Sequence, residues 1–188
     1  MQTFMKNLLI SGYRSYELNV FNRKDPKLPY IKKVLRENFI QAIEEGTQWF
    51  LIGGQLGTEL WSGEVLIELK KEYPDIRLSI IFPFKGFGEK WNEENKLLLE
   101  KVTNGADYVN WTSKEGYTKP RQLQQHQQFM VDHTHGALLL YDTEFEGKST
   151  FLYNYLKNRQ EHSPYPIQLI TFEDLEESVR EEDDGFID

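Results

Sequence analysis

The sequence predicts an α/β chain: a mostly parallel sheet with helices on both faces. Three observations point there. Short apolar runs of strand length alternate with longer runs of helical spacing, the pattern of crossover-connected parallel strands. Three of the short runs, 7–11, 49–52 and 137–141, are apolar at their centres without alternation, as strands buried on both faces are. The residues just after the strands are rich in glycine, hydroxyls and single charges, and open parallel sheets bind ligands at that edge.

The first strand is Asn7 to Ser11, closed by Gly12. In Tyr30 to Glu45, residues Ile31, Val34, Leu35, Ile40 and Ile43 recur at near-helical spacing, and Gly46 ends the helix. Trp49 to Ile52 is the second strand. Leu56 to Tyr73 is a helix broken by Pro74-Asp75. Arg77 to Phe82 is the third strand, ended by Pro83. A helix over Asn92 to Asn104 leads to a fourth strand, Asp107 to Trp111. Pro120 to Asp132 is a glutamine-rich helix. Ala137 to Tyr141 is the most apolar strand, Lys148 to Arg159 the next helix and Ile167 to Thr171 the last strand. The chain reads as one domain over 1–172. An acidic tail follows over 173–188, with one helical turn at its start.

Composition narrows the function. The chain has 188 residues, 39% hydrophobic and 14% aromatic, enough for a sizeable core. It has no cysteine, which excludes disulfides and thiol chemistry. The net charge of −8 argues against general nucleic-acid binding, because counterion release needs clustered Lys and Arg. No run reaches the roughly 20 apolar residues of a membrane span, and the first ten residues do not form a signal peptide. The expectation is a soluble, cytoplasmic protein.

The stretch FLIGGQLGTELWSGE, Phe50 to Glu64, carries the sharpest signal. Gly53, Gly54 and Gly57 sit between a strand and a helix. Without Cβ atoms the backbone turns sharply, and an anion can reach its N–H groups at the positive end of the helix dipole. The same glycines also suit a tight turn with no ligand. The spacing G-G-x-x-G is not the dinucleotide fingerprint, and it follows the second strand rather than the first. Glu59 either complements the helix dipole or accepts hydrogen bonds from a ribose. Gly147-Lys148-Ser149 also follows a strand and opens a helix, but a phosphate-binding G-x-x-x-x-G-K-[ST] loop needs glycine where Asp142 stands. Ser149 or Thr150 caps that helix and can offer a hydroxyl. His133 and His135 beside Asp132 are too few for a metal site. His126 and His162 read as surface residues, and no Ser-His-Asp set can be assembled.

SGYRSYELNVF after the first strand, FLIGGQLGTELW at the second, PF after the third and QQFMVDHTHGALLLYD closely resemble the YpsA-like family of the SLOG superfamily. The match runs over 7–172. Relatives include the DNA-processing DprA/Smf proteins and the LOG phosphoribohydrolases. The resemblance implies a single Rossmann-like three-layer domain. It implies a ligand pocket with Gly12, Tyr13, Arg14 and Glu17 on one wall. Gly53, Gly54, Gln55, Gly57 and Glu59 form a second wall, and Asp142, Gly147, Ser149 and Thr150 a third. It further implies a nucleotide-derived ligand of the ADP-ribose or NAD kind, and a link to bacterial cell division. The LOG catalytic pattern P-R-x-x-x-M-H is replaced here by Pro83-Phe84, so phosphoribohydrolase activity is not carried over.

The function expected is therefore nucleotide-ligand binding or sensing, without catalytic or metal-binding residues. Two alternatives stand beside it: a nucleotide-processing hydrolase, and a protein-interaction module with a vestigial pocket. A protein partner and a homo-oligomer both remain open.

Overall fold

The computed structural model describes residues 6–184. Six strands form one all-parallel sheet in the order β4-β3-β2-β1-β5-β6. They are β1 (Asn7–Gly12), β2 (Trp49–Ile52), β3 (Arg77–Phe82), β4 (Tyr108–Trp111), β5 (Gly136–Leu140) and β6 (Ile167–Ile170). The helices are α1 (Lys27–Glu44), α2 (Thr58–Leu69), α3 (Glu93–Gly105), α4 (Arg121–Asp132), α5 (Thr150–Gln160) and α6 (Phe172–Asp184). One 3-10 turn, Ser15–Leu18, follows β1. The fold is the α/β, Rossmann-like three-layer arrangement the sequence predicts.

The chain moves outward from β1 to β4, then returns through α4 to lay β5 on the other side of β1. Strand order therefore reverses between β1 and β5, where the register pairs Leu9 with Ala137 and Gly12 with Leu140. Helices α1, α2, α3 and α6 pack side by side in one layer. Right-handed crossovers place α4 and α5 on the other face. β5 is buried along its whole length, whereas β4, at the edge, is exposed at Tyr108 and Trp111.

α2 ends at Leu69 rather than Tyr73, residues 70–72 forming turns, and three further differences each have a local reason. α1 begins three residues earlier than Tyr30, because Pro29 sits in the first turn, where a missing N–H costs nothing. The single turn expected at the start of the acidic tail extends into α6, which packs on α1. Residues 185–188 lie outside the described part. The 3-10 turn was not expected, and it carries Glu17.

The helical layer is tied by one carboxylate. Glu64 of α2 is 6% exposed. Arg23 donates to both its oxygens, at 2.8 and 2.5 Å. Lys32 of α1 stands at 3.1 Å and Lys101 of α3 at 3.0 Å. Burial alone would raise its pKa, but the Arg23 and Lys101 hydrogen bonds and the Lys32 charge outweigh it and hold the carboxyl at about 2, against an ordinary 4.5. A pKa depressed on folding adds stability that is fully present above pH 4.5 and is lost as pH falls towards 2. Glu64→Gln is expected to cost about 3 kcal/mol at pH 7 and much less near pH 2, measured by denaturant unfolding at both values. Equal losses at both would show that the charge is not what ties the helices.

Candidate functional site

At the carboxyl edge of the sheet the predicted residues fall into two groups, joined by Tyr13. The first group surrounds the turn after β2. Glu59, in the first turn of α2, folds back so that the Gly53 N–H donates to its Oε1 at 2.6 Å. The Ser11 hydroxyl, at the end of β1, donates to its Oε2 at 3.2 Å. Burial raises the Glu59 carboxyl above its ordinary 4.5, while the Gly53 N–H, the Arg14 charge and the Ser11 hydroxyl pull it back. A desolvated carboxylate facing a cation at the strand ends is the kind of group found at functional sites.

His126 of α4 closes the other side of this turn. A Cβ on Gly53 would meet the His126 ring at 2.8 Å and the Glu59 carboxylate at 2.9 Å, so the two side chains flank one point. The His126 Nε2–H donates to the Ile81 carbonyl of β3. Burial holds the imidazole at about 4, against an ordinary 6.5. His126 is thus not the surface residue the sequence suggested. Its i, i+4, i+8 row, Gln122, His126, Met130, has one apolar member, too weak a stripe to mark an inward face in the sequence, though both outer members are buried.

The glycines answer to the chain's own neighbours. Gly57 has φ +102°, and a Cβ there would meet the Ser15 nitrogen at 2.5 Å and the Tyr13 carbonyl oxygen at 2.6 Å. The loop after β1 thus lies directly on the start of α2. The Thr58 N–H and hydroxyl both donate to the Tyr13 carbonyl, at 3.1 and 2.9 Å. One of the N–H groups at the start of α2 is therefore engaged inside the protein. Gln55 lies in the same turn, half-buried, and its side-chain oxygen accepts from the Leu56 N–H at 3.3 Å.

The second group surrounds the start of α5. Gly12 and Tyr13 stand opposite Leu140, and the Tyr13 N–H donates to its carbonyl at 3.1 Å. The Tyr13 phenol donates to the Phe145 carbonyl at 2.6 Å and accepts from the Asp142 N–H at 2.9 Å. Its ring stacks on Phe172, centroids 5.3 Å apart. The Asp142 carboxylate accepts from Glu144 and Phe172 N–H groups. Thr150 accepts from the Gly147 N–H at 3.0 Å, while Ser149, at the N-cap, makes no side-chain cap bond. Glu17 reaches across from the 3-10 turn. Its carboxylate accepts from the Arg14 N–H and from the Lys148 N–H, both at 3.0 Å. A Cβ on Gly147 would collide with that carboxylate.

The two histidines beside Asp132 lie at the opposite edge of the sheet. His133 stacks on Phe129, and His135 Nδ1 accepts from the Asn7 N–H at 3.1 Å. Among the described residues no helix is long and apolar enough to cross a membrane.

The model of the YspA SLOG family matches residues 8–175. A UPF0398 protein of Enterococcus faecalis is 46% identical over 175 residues, covering 93% of this chain and 97% of its own. One of Pediococcus pentosaceus is 44% identical, covering 92% and 94%. Among solved structures, DNA processing protein A from Helicobacter pylori is similar at 12% identity and TM-score 0.48. It covers 85% of this chain, and the chain spans 64% of that one, less than two thirds. That structure is described by its single-stranded DNA binding mode, which corrects the expectation of no general nucleic-acid binding. The physical fault in that expectation is that a net charge sums over the whole surface and excludes no single groove.

Two outcomes follow from the geometry. Gly57→Ala is expected to destabilise the fold by more than about 1–3 kcal/mol, the scale of backbone strain alone, because the overlap is with backbone; an unchanged melting temperature would refute the close loop packing. The His126 ring is expected to titrate near pH 4 by NMR. Its pKa is depressed on folding, so the stability it adds is whole above pH 6.5 and declines as pH falls through 4. A midpoint between 6 and 7 would place the ring in solvent.

Proposed function

The chain belongs to the YspA SLOG family, and from that premise we propose that it binds a nucleotide or nucleotide-derived small molecule, of the ADP-ribose or NAD kind, at the carboxyl edge of β1, β2 and β3. One observation carries the reading: the Glu59 carboxylate, drawn back onto the Gly53 N–H and faced by Arg14. An ionised carboxylate has about four acceptor positions, so a ribose diol can share it with the donors already there. Arg14 supplies the planar, permanently charged fork that matches a phosphate.

The hydrolase alternative asks Glu59 to take a proton from water. Both of its oxygens already accept hydrogen bonds, from Gly53 and Ser11, which favours holding a ligand over activating water. The link to bacterial cell division is carried by the family resemblance alone and by no residue of the site.

Calorimetry with ADP-ribose, NAD and AMP tests the reading. Glu59→Gln is expected to weaken binding by about 1–3 kcal/mol, the scale of a hydrogen bond to a charged group. Arg14→Lys is expected to weaken phosphate-bearing ligands while leaving the matching nucleoside unchanged. Wild-type protein that binds none of the three, or folded variants that bind as wild type does, would overturn it.

A further inference from the structure

Beyond the glycine turn, the carboxyl ends of β3 and β4 carry a cluster of aromatic side chains. Phe82, at the end of β3, covers Gly54, so that a Cβ there would collide with its ring. Trp111, paired with Phe82 in the register of β3 and β4, stacks on it with centroids 6.2 Å apart and planes at 29°. Phe84, two residues on, meets Tyr117 at 5.3 Å. Part of this cluster is core, but its outer members are not. Trp111 is 38% exposed and Tyr117 54%.

Exposed aromatics at a strand edge are usually mobile or covered, yet these are held in place. Tyr117 rides on the loop between β4 and α4, and that loop is fastened from within by Gln122. The Gln122 side chain is 3% exposed. Its oxygen accepts from the Thr118 and Lys119 N–H groups, and its nitrogen donates to the Ser113 hydroxyl and the Gly116 carbonyl. The Lys85 N–H, beside Phe84, donates to the Ser113 and Glu115 carbonyls at 3.1 Å each and joins the two loops. A fully bonded buried amide that fixes an exposed ring keeps that ring presented to solvent without the entropy of ordering it on binding.

We propose that Trp111 and Tyr117 form a stacking platform for a nucleobase, the base of the ligand whose ribose meets Glu59 and whose phosphate meets Arg14. The inference rests on the nucleotide reading above and adds the part of the ligand that gives it an aromatic ring. Strand spacing supports the span: neighbouring strands lie about 4.8 Å apart, so β1 to β4 covers about 14 Å of the edge, the scale of a nucleoside phosphate laid across it. The order along that edge is cation, carboxylate, aromatic, which is the order of phosphate, ribose and base in the ligand. The base can belong to a free mononucleotide or to a single strand, since every base offers a π-face.

The test compares ligands with and without a base. Ribose 5-phosphate, AMP and a short adenine oligodeoxynucleotide are titrated into wild type, Trp111→Ala and Tyr117→Ala, with melting curves to confirm folding. AMP is expected to bind wild type at least tenfold tighter than ribose 5-phosphate does. Either variant is expected to lose about tenfold for AMP while holding ribose 5-phosphate as before. The tryptophan emission that AMP quenches in wild type is expected to be insensitive to AMP in Trp111→Phe. A loss for the oligonucleotide larger than for AMP assigns the base to a single strand; a larger loss for AMP assigns it to a mononucleotide. Both support the platform. Equal affinity of AMP and ribose 5-phosphate, or unchanged AMP binding in both variants, overturns the platform and leaves the Glu59 and Arg14 reading standing. Wild-type protein that binds none of the three probes overturns the platform; one that also binds neither ADP-ribose nor NAD overturns the Glu59 and Arg14 reading as well.

Discussion

Tyr13 closes the crevice where the strand order reverses, and much of the edge is arranged around it. Its N–H is bonded to β5, its carbonyl to the start of α2, its phenol to the loop after β5, and its ring lies on the first residue of α6. One residue thus fastens two strands and two helices at the place where open α/β sheets otherwise leave a gap for ligands. Burial raises its phenol above the ordinary 10.0, so it remains a neutral donor near neutral pH. Filling this gap leaves Ser11, Gly53 and Glu59 as the polar groups gathered over β1 and β2.

The same constraint explains the glycines better than a ligand does. With the Tyr13 loop seated on α2, position 57 has no space for a side chain and a backbone angle that L residues rarely adopt. Gly53 is different, since what would crowd it are two polar side chains, Glu59 and His126. A glycine-rich turn is therefore two statements at once. One part lets backbone meet backbone, and the other leaves room for a carboxylate and an imidazole to approach the same peptide.

Most of the architecture was legible because its signals are local. β2 is an uninterrupted apolar run closed by Gly53, and β3, apolar but for Arg77 and Ser79, is closed by Pro83, so their limits could be read directly. α6 was harder, because one of its inward positions is Ser178, which gives no apolar signal, and its many carboxylates read as a solvated tail. The turn after β2 was legible as a place but not as a geometry. The glycines and Glu59 marked where it lies. That Glu59 bends back to Gly53, or that α4 brings His126 beside it from more than 60 residues away, depends on packing no local pattern encodes.

Glu17 has a thermodynamic consequence. Its carboxylate accepts the Lys148 N–H at the Gly147-Lys148 turn, where a bound anion would otherwise accept it. A tethered group of this kind is an intramolecular competitor, with an effective concentration of about the millimolar scale for short connections. An external anion must outcompete it and leave Glu17 needing new partners. The turn is in this sense self-saturated: an inorganic anion there competes with the protein's own side chain.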